Sequence, residues 1–397
     1  MDHRLLCWIR LQQALGYGSN KPMEAYRRHP DLEKWFASRS FAENEEGLFT
    51  KAEMERFQKF TGERCLKIAE MAKSLGQKML TPESSEYPEC LRQIANPPAV
   101  LYYVGDFPAV DDIPAIAVVG SRNTSQSGLA AARILCRQLG AAGAVVVSGG
   151  ALGIDTAAHL GAMDAGGKTV ALLACGIDYP YLKSNQKLRE AVARHGALIS
   201  EFAPGTEVQK WHFLIRNRII SGLSCGVLVA EASIKSGTMI TAKHATEQNR
   251  DIFVLMVDSW RENSEGVLQL IWDGAKPVSC AADILTEYTP RFPACTVPPR
   301  EPISTFRQPV PEDEIKGIHA FPDFLAESSS KKQPTSCEKM SPEAKALYQA
   351  LSAQPISVEE LVYRTGMSID KLFQAATELE LLEKIQSFSG GRYAKKG

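Results

Sequence analysis

The stretch IAVVGSRNTSQSGLAAARILCRQLGAAGAVVVSGGALGIDTAAHL (116–160) decides the fold. IAVVG (116–120) is a short apolar β-type run, and a polar Gly/Ser loop follows it. Ala131, Ile134, Leu135 and Leu139 then fall on one face at helix spacing, before a second β-type run, AVVVSG (144–149). Four more runs continue the series: TVALLACG (169–176), ALISE (197–201), CGVLVAEA (225–232) and DIFVLMV (251–257). Helical stretches separate most of them. Near-continuous apolar strands alternating with helices indicate an α/β domain whose parallel sheet is covered on both faces.

Outward from this core the pattern changes. Residues 1–80 read as a separate helical module: 51–75 carries alternating charge with apolar residues at helix spacing, and Gly16-Tyr17-Gly18 punctuates the first helix. Residues 288–340 hold nine of the chain's 22 prolines, with SSSKK and little periodicity, and are expected to be an extended linker. In residues 341–397, Ser341-Pro342 starts one helix, and Ser357 with Glu360 forms a capping box for a second that Gly366 closes. Ser368 starts a third, ending near Leu382, and KIQSF, SGG and RYAK make a strand, turn and strand. Three helices and a terminal hairpin form a winged-helix pattern. The expected divisions are 1–80, 81–287, 288–340 and 341–397.

Lys and Arg total 45 against 46 Asp and Glu, so any nucleic-acid site must be a local basic patch. Nine scattered cysteines without a C-x-x-C pair read as reduced thiols, and the seven histidines have no metal-ligand spacing; no metal and no cofactor are expected. The charged start and the lack of a long apolar run predict a cytoplasmic protein without a membrane span.

Ligands of an open parallel sheet bind beyond the carboxyl ends of its strands, where helix N-termini present amides. Three loops at those ends combine small residues with hydroxyls: VGSRNTSQSG (119–128), SGGALGID (148–155) and EASIKSGT (231–238). Gly120, Ser121, Ser148, Gly149, Gly150, Gly153, Ser236, Gly237 and Thr238 are the candidate phosphate-contacting backbone, with Arg122 and Lys235 as cations. Each loop alone reads equally well as a tight strand-to-helix turn; their coincidence carries the expectation. AMDAGGKT (162–169) has Ala162 where a P-loop needs glycine and precedes a strand, which excludes it as a nucleotide cradle.

The most basic segment is KWHFLIRNRIISGLS (210–224), where Lys210, Arg216 and Arg218 are interleaved with Trp211, His212 and Phe213. Cations clamp phosphates and rings stack unpaired bases, a combination suited to single strands. Core packing by Phe213, and arginines held by acidic neighbours, is the competing reading. Lys183 and Lys187 add charge beyond the third strand of the series. Asp155 reads as a helix N-cap, His159 as a core histidine, and Glu231 as either a base or a partner of amides beside Ser236 and Thr238. No nucleophile–base pair stands out, so no catalytic residue is expected.

The order of motifs resembles the DprA (DNA-processing A) family. It is carried by YPECLRQIANPPAVLYYVGD (87–106), VVGSR (118–122), SGGALGIDTAAH (148–159), GGKTVALLACGIDYPYLKSN (166–185) and ISEFAPG (199–205), then FLIRNRIISGLS (213–224), VLVAEASIKSGTMITAKHA (227–245) and DGAKPV (273–278). The resemblance implies an extended Rossmann-like core with a small helical N-terminal module and a C-terminal winged helix. It also implies a non-catalytic homodimer that binds single-stranded DNA and hands it to the RecA recombinase during natural transformation. By position, Arg122 matches the family's DNA-binding arginine, and Lys210 and Phe213 a phosphate-contacting lysine and its aromatic companion. Lys183 matches a lysine after the Tyr-Pro motif. Arg216-Asn217-Arg218 matches an RNR signature, where DNA contact and scaffold stay open. VLMVDSWRENSEGVLQL (254–270) departs from the family's Pro-Gly and Gly-Ser/Cys loop, and Gln126 stands where an aromatic-containing turn is common.

The alternative is a nucleotide-processing Rossmann-like hydrolase, with Glu231 and Arg122 as the pair of a nucleoside-monophosphate phosphoribohydrolase. EASIKSGT lacks that family's P-G-G-x-G-T form. A third reading is an assembly scaffold working through its end modules. Residues 341–397 carry seven basic and seven acidic side chains, and the third helix region sets Asp370, Glu378, Glu380 and Glu383 against Lys371. Major-groove binding needs cations, so this module is expected to contact protein and not duplex DNA.

Overall fold

The computed structural model describes residues 2–44, 47–181, 185–256, 264–303, 341–352, 356–382, 384–388 and 392–395. Two compact units divide the chain at residues 324 and 325.

The first unit is built on nine strands: β1 (Lys78–Leu80), β2 (Leu101–Gly105), β3 (Ala115–Val119), β4 (Val145–Ser148), β5 (Thr169–Leu173), β6 (Gly196–Ser200), β7 (Gly226–Val229), β8 (Asp251–Leu255) and β9 (Lys276–Val278). They form one sheet in the order β1-β2-β6-β5-β4-β3-β7-β8-β9. All six β-type runs of the sequence are strands. From β6 to β9 every pairing is parallel, whereas β2 runs antiparallel to β6 and β1 antiparallel to β2. The six expected strands thus form a parallel sheet, and two further antiparallel strands make the whole sheet mixed at one edge. The two extra strands precede β3 in the chain and close the β6 edge.

Side chains alternate across this sheet as the pleat requires. Ala117, Val119, Val145, Val147 and Leu172 meet Ile219, Ile220, Ala242, Ala245 and Leu270 from helices Lys210–Gly222, Gly237–Glu247 and Glu265–Trp272. Ile116, Val118, Val146 and Leu228 face Leu135, Leu139, Ala157 and Ala158 from helices Gln126–Ala141 and Ile154–Asp164. β3 is the first parallel strand in the chain, yet it lies between β4 and β7. The strand order reverses there, which places a crevice at the carboxyl ends of β3 and β7.

Two expected boundaries move. The N-terminal helices do not form a separate body: Trp8, Leu11, Phe57 and Ala69 share a core with Val100, Tyr102 and Ala203. Gln12 Nε2 donates to the Val100 carbonyl at 2.9 Å. The proline-rich segment is not a free linker from its start either. Tyr288 and Phe292 are buried in the sheet's core, Val297 and Ile303 pack against it, and the Ile303 amide donates to the Ser279 carbonyl. Residues 304–340 lie outside the described residues.

The second unit has helices Pro342–Ala350, Val358–Thr365 and Ile369–Leu381 and the hairpin β11 (Ile385–Phe388) and β12 (Arg392–Lys395), with β10 (Ile356–Ser357) pairing to β12. Ser341 and Ser357 cap their helices by accepting the Ala344 and Glu360 amides, and Gly366 takes the left-handed conformation, φ 65°, that ends the second. Leu347, Leu361, Leu372, Ala376 and Leu379 give the unit its own core. This is the winged-helix arrangement read from the sequence.

Candidate nucleic-acid interface

The three Gly/Ser loops follow β3, β4 and β7, three adjacent strands, so the sheet order alone brings them to one edge. The first loop is held across the crevice by Glu231. The Ser121 amide donates to the Glu231 carbonyl, and the Glu231 carboxylate accepts from Thr124 Oγ1 at 2.7 Å, the Ser125 amide at 3.0 Å and the Ser125 hydroxyl. Glu231 is thus a strut for the loop that carries Arg122, and its partners are neither Ser236 nor Thr238. With its oxygens committed to hydroxyls and an amide, it is not set up as a base beside Arg122.

The second loop is pinned from below. Arg216 is buried and donates through Nη1 to the Gly149 carbonyl at 2.7 Å and the Leu172 carbonyl at 2.6 Å. A Cβ on Gly149 would lie 2.3 Å from Arg216 Nη1, so glycine is what lets the guanidinium reach the backbone. Burial lowers the Arg216 pKa to about 10 and the nearby Asp155 carboxylate opposes the shift, leaving a cation at neutral pH beneath the loop. Asp155 is not the N-cap; Gly153 takes that place, and Asp155, two residues on in the first turn, accepts the Ala151 amide. Gly153 has φ +79°, and a Cβ there would sit 2.5 Å from the Ser121 carbonyl and 2.7 Å from that of Arg122. Gly153→Ala is expected to cost more than about 1 kcal/mol, read from urea unfolding, because both conformation and space forbid the methyl group.

The cations and rings meet on this platform. Arg122 is exposed, and its guanidinium carbon lies over the Phe213 ring, 5.0 Å from the centroid; that of Arg216 lies 5.8 Å away. Lys210 is exposed one helical turn from Phe213, on the same face. Lys235 is exposed in the loop after β7, where Ser236 stands at the N-cap of helix Gly237–Glu247 with its hydroxyl unpartnered and Gly237 exposed. Gly120 and Ser121 are half-buried at the end of β3.

Other expected contacts turn inward. Arg218, 2 % exposed, forms an ion pair with Glu201 at 2.6 Å, and Asn217 donates to the Gly237 carbonyl. With Arg216 they are scaffold, which removes all three from the surface set. Successive helical residues point in different directions, and each meets its own buried partner: Arg216 the Gly149 and Leu172 carbonyls, Asn217 the Gly237 carbonyl and Arg218 the Glu201 carboxylate. Ser148 is buried and donates to the Val118 carbonyl, and Gly149, Gly150 and Thr238 are buried as well. Lys183 and the loop residues 257–263 lie outside the described residues, and Lys187 is exposed. His159 is a core group: Thr169 Oγ1 donates to the Val146 carbonyl and so accepts from His159 Nδ1 at 2.7 Å, while burial lowers the imidazole pKa to about 3. His212 stacks on Phe202, leaving Trp211 exposed. The sequence pattern assigned no role to Tyr181, whose ring packs edge-on near Phe213; the second aromatic of Tyr-Pro-Tyr was its signal.

Among the described residues no group of His, Cys, Asp and Glu could hold a metal ion, and no helix is long and apolar enough to cross a membrane.

Residues 78–289 match the family described as DNA recombination-mediator protein A, and residues 330–391 match the DprA winged helix domain. Protein Smf of Synechocystis is 32% identical over 326 residues, covering 80% of each chain. The DNA processing protein DprA of Bacillus subtilis is 40% identical over 215 residues, 54% of this chain and 72% of that protein. The X-ray structure of DprA from Streptococcus pneumoniae superposes with a TM-score of 0.60 at 31% identity, covering 70% of this chain and 95% of that one.

Proposed function

Since this chain belongs to the DNA recombination-mediator protein A family, we propose that it grips single-stranded DNA at the carboxyl edge of β4, β3 and β7 and passes it to RecA during natural transformation. It does so by binding alone, as a homodimer. The observation that carries the DNA reading is the meeting of exposed Arg122 with half-buried Phe213, two residues remote in sequence, at one rim of the sheet. In the free protein the guanidinium lies against the ring. A single strand offers each a better partner, a phosphate for the cation and a base for the ring. The amides around Gly153 and Gly237 add an anion-favouring background.

Titrating the protein with single-stranded DNA, duplex DNA and mononucleotides over a range of salt tests this. Single strands are expected to bind tightest, with affinity falling steeply as salt rises. Equal affinity for duplex, or binding of mononucleotides alone, would refute it.

The winged helix is proposed to bind protein. Lys371, the cation on its third helix, is paired with Glu343 at 3.5 Å, and Phe373 on that helix is 43% exposed. A fragment of residues 341–397 is expected to show no measurable duplex affinity at physiological salt in an anisotropy assay; measurable binding would overturn the assignment.

A further inference from the structure

Tyr181 follows β5 in the Tyr179-Pro180-Tyr181 turn, where its amide donates to the Tyr179 carbonyl at 2.7 Å, and its side chain is half-buried. Its ring centroid lies 5.8 Å from that of Phe213, with the two planes at 61°. With their planes inclined at 61° the two rings face different directions, so one base cannot lie flat on both. Successive bases in a stacked run lie parallel, so two bases laid on these rings must splay apart. A duplex resists that opening, whereas a single strand allows it.

We infer that Tyr181 is a second stacking platform, taking the base next to the one on Phe213. The site then holds a dinucleotide step opened between two rings, with the Arg122 guanidinium, displaced from Phe213, left for a phosphate. This rests on the single-stranded-DNA reading and adds to it a ligand geometry: two splayed neighbouring bases.

The test uses the full chain and two oligomers of equal length and charge, oligo-dT and an abasic sugar-phosphate strand. Tyr181→Ala is expected to weaken oligo-dT binding about tenfold and to leave binding of the abasic strand unchanged, while Tyr181→Phe keeps wild-type affinity for both. Equal loss on both strands, or no loss on oligo-dT, overturns the inference, because a residue that only shapes the loop cannot distinguish strands with and without bases. Arg122→Ala separates the two claims. If it weakens both oligomers while Tyr181→Ala weakens neither, the DNA site stands and the second platform falls. If the unaltered protein binds neither oligomer, both fall.

Discussion

The double variant Arg122→Ala/Lys210→Ala is expected to bind single-stranded DNA roughly 100-fold more weakly at physiological salt, about 3 kcal/mol. That figure takes each cation at the low end for a hydrogen bond to a charged group. The log–log salt slope should become shallower by about 0.7 for each phosphate that is no longer neutralised. The weakening should be similar across sequences, since neither side chain is placed to read a base edge. Both are exposed and outside the core, so the urea midpoint should stay where it is. Unchanged affinity in this double variant would remove the site.

The second large effect concerns folding. Arg218 and Glu201 are 2 % and 3 % exposed and paired at 2.6 Å, and Glu201 Oε1 also accepts the Gly18 amide at 3.2 Å. Burial pushes the Glu201 carboxyl up, and the Arg218 guanidinium and the Gly18 amide pull it back. The ion pair therefore ties the N-terminal turn to the helix that carries Lys210 and Phe213. Arg218→Leu alone should destabilise the protein by about 3–5 kcal/mol in urea unfolding, because it strands a buried carboxylate. Adding Glu201→Leu should recover much of that stability. A single variant as stable as the unaltered protein would show that the pair is not the buried node described.

The six central strands were legible because burial on both faces makes each a continuous apolar run, which no exposed element imitates. β1 and β9 are three-residue edge strands, and Lys78 and Lys276 lie exposed on them and dilute the signal; β2, LYYVG (101–105), carries an apolar run as long as those of the central strands and was legible in the sequence. The N-terminal helices read as separate because sequence periodicity reports an apolar face and not what covers it; here Val100, Tyr102 and Ala203 help to cover it. The same limit explains the arginines. Arg122 and Arg216 are identical as letters, and only the helix phase, which turns Arg216 toward the Gly149 and Leu172 carbonyls, makes one a surface cation and the other a scaffold. Glu231 likewise stands at a strand end where base and strut look alike until Thr124 and Ser125 arrive from the neighbouring loop.

Photo-crosslinking of a 5-iodouracil-substituted single strand, with the attached residue identified by mass spectrometry, tests the central claim most directly. Adducts are expected at Phe213 or Tyr181, lost when an unlabelled single strand competes but not when an equal mass of duplex does. Adducts confined to residues 341–397, or to the N-terminal helices, would contradict it.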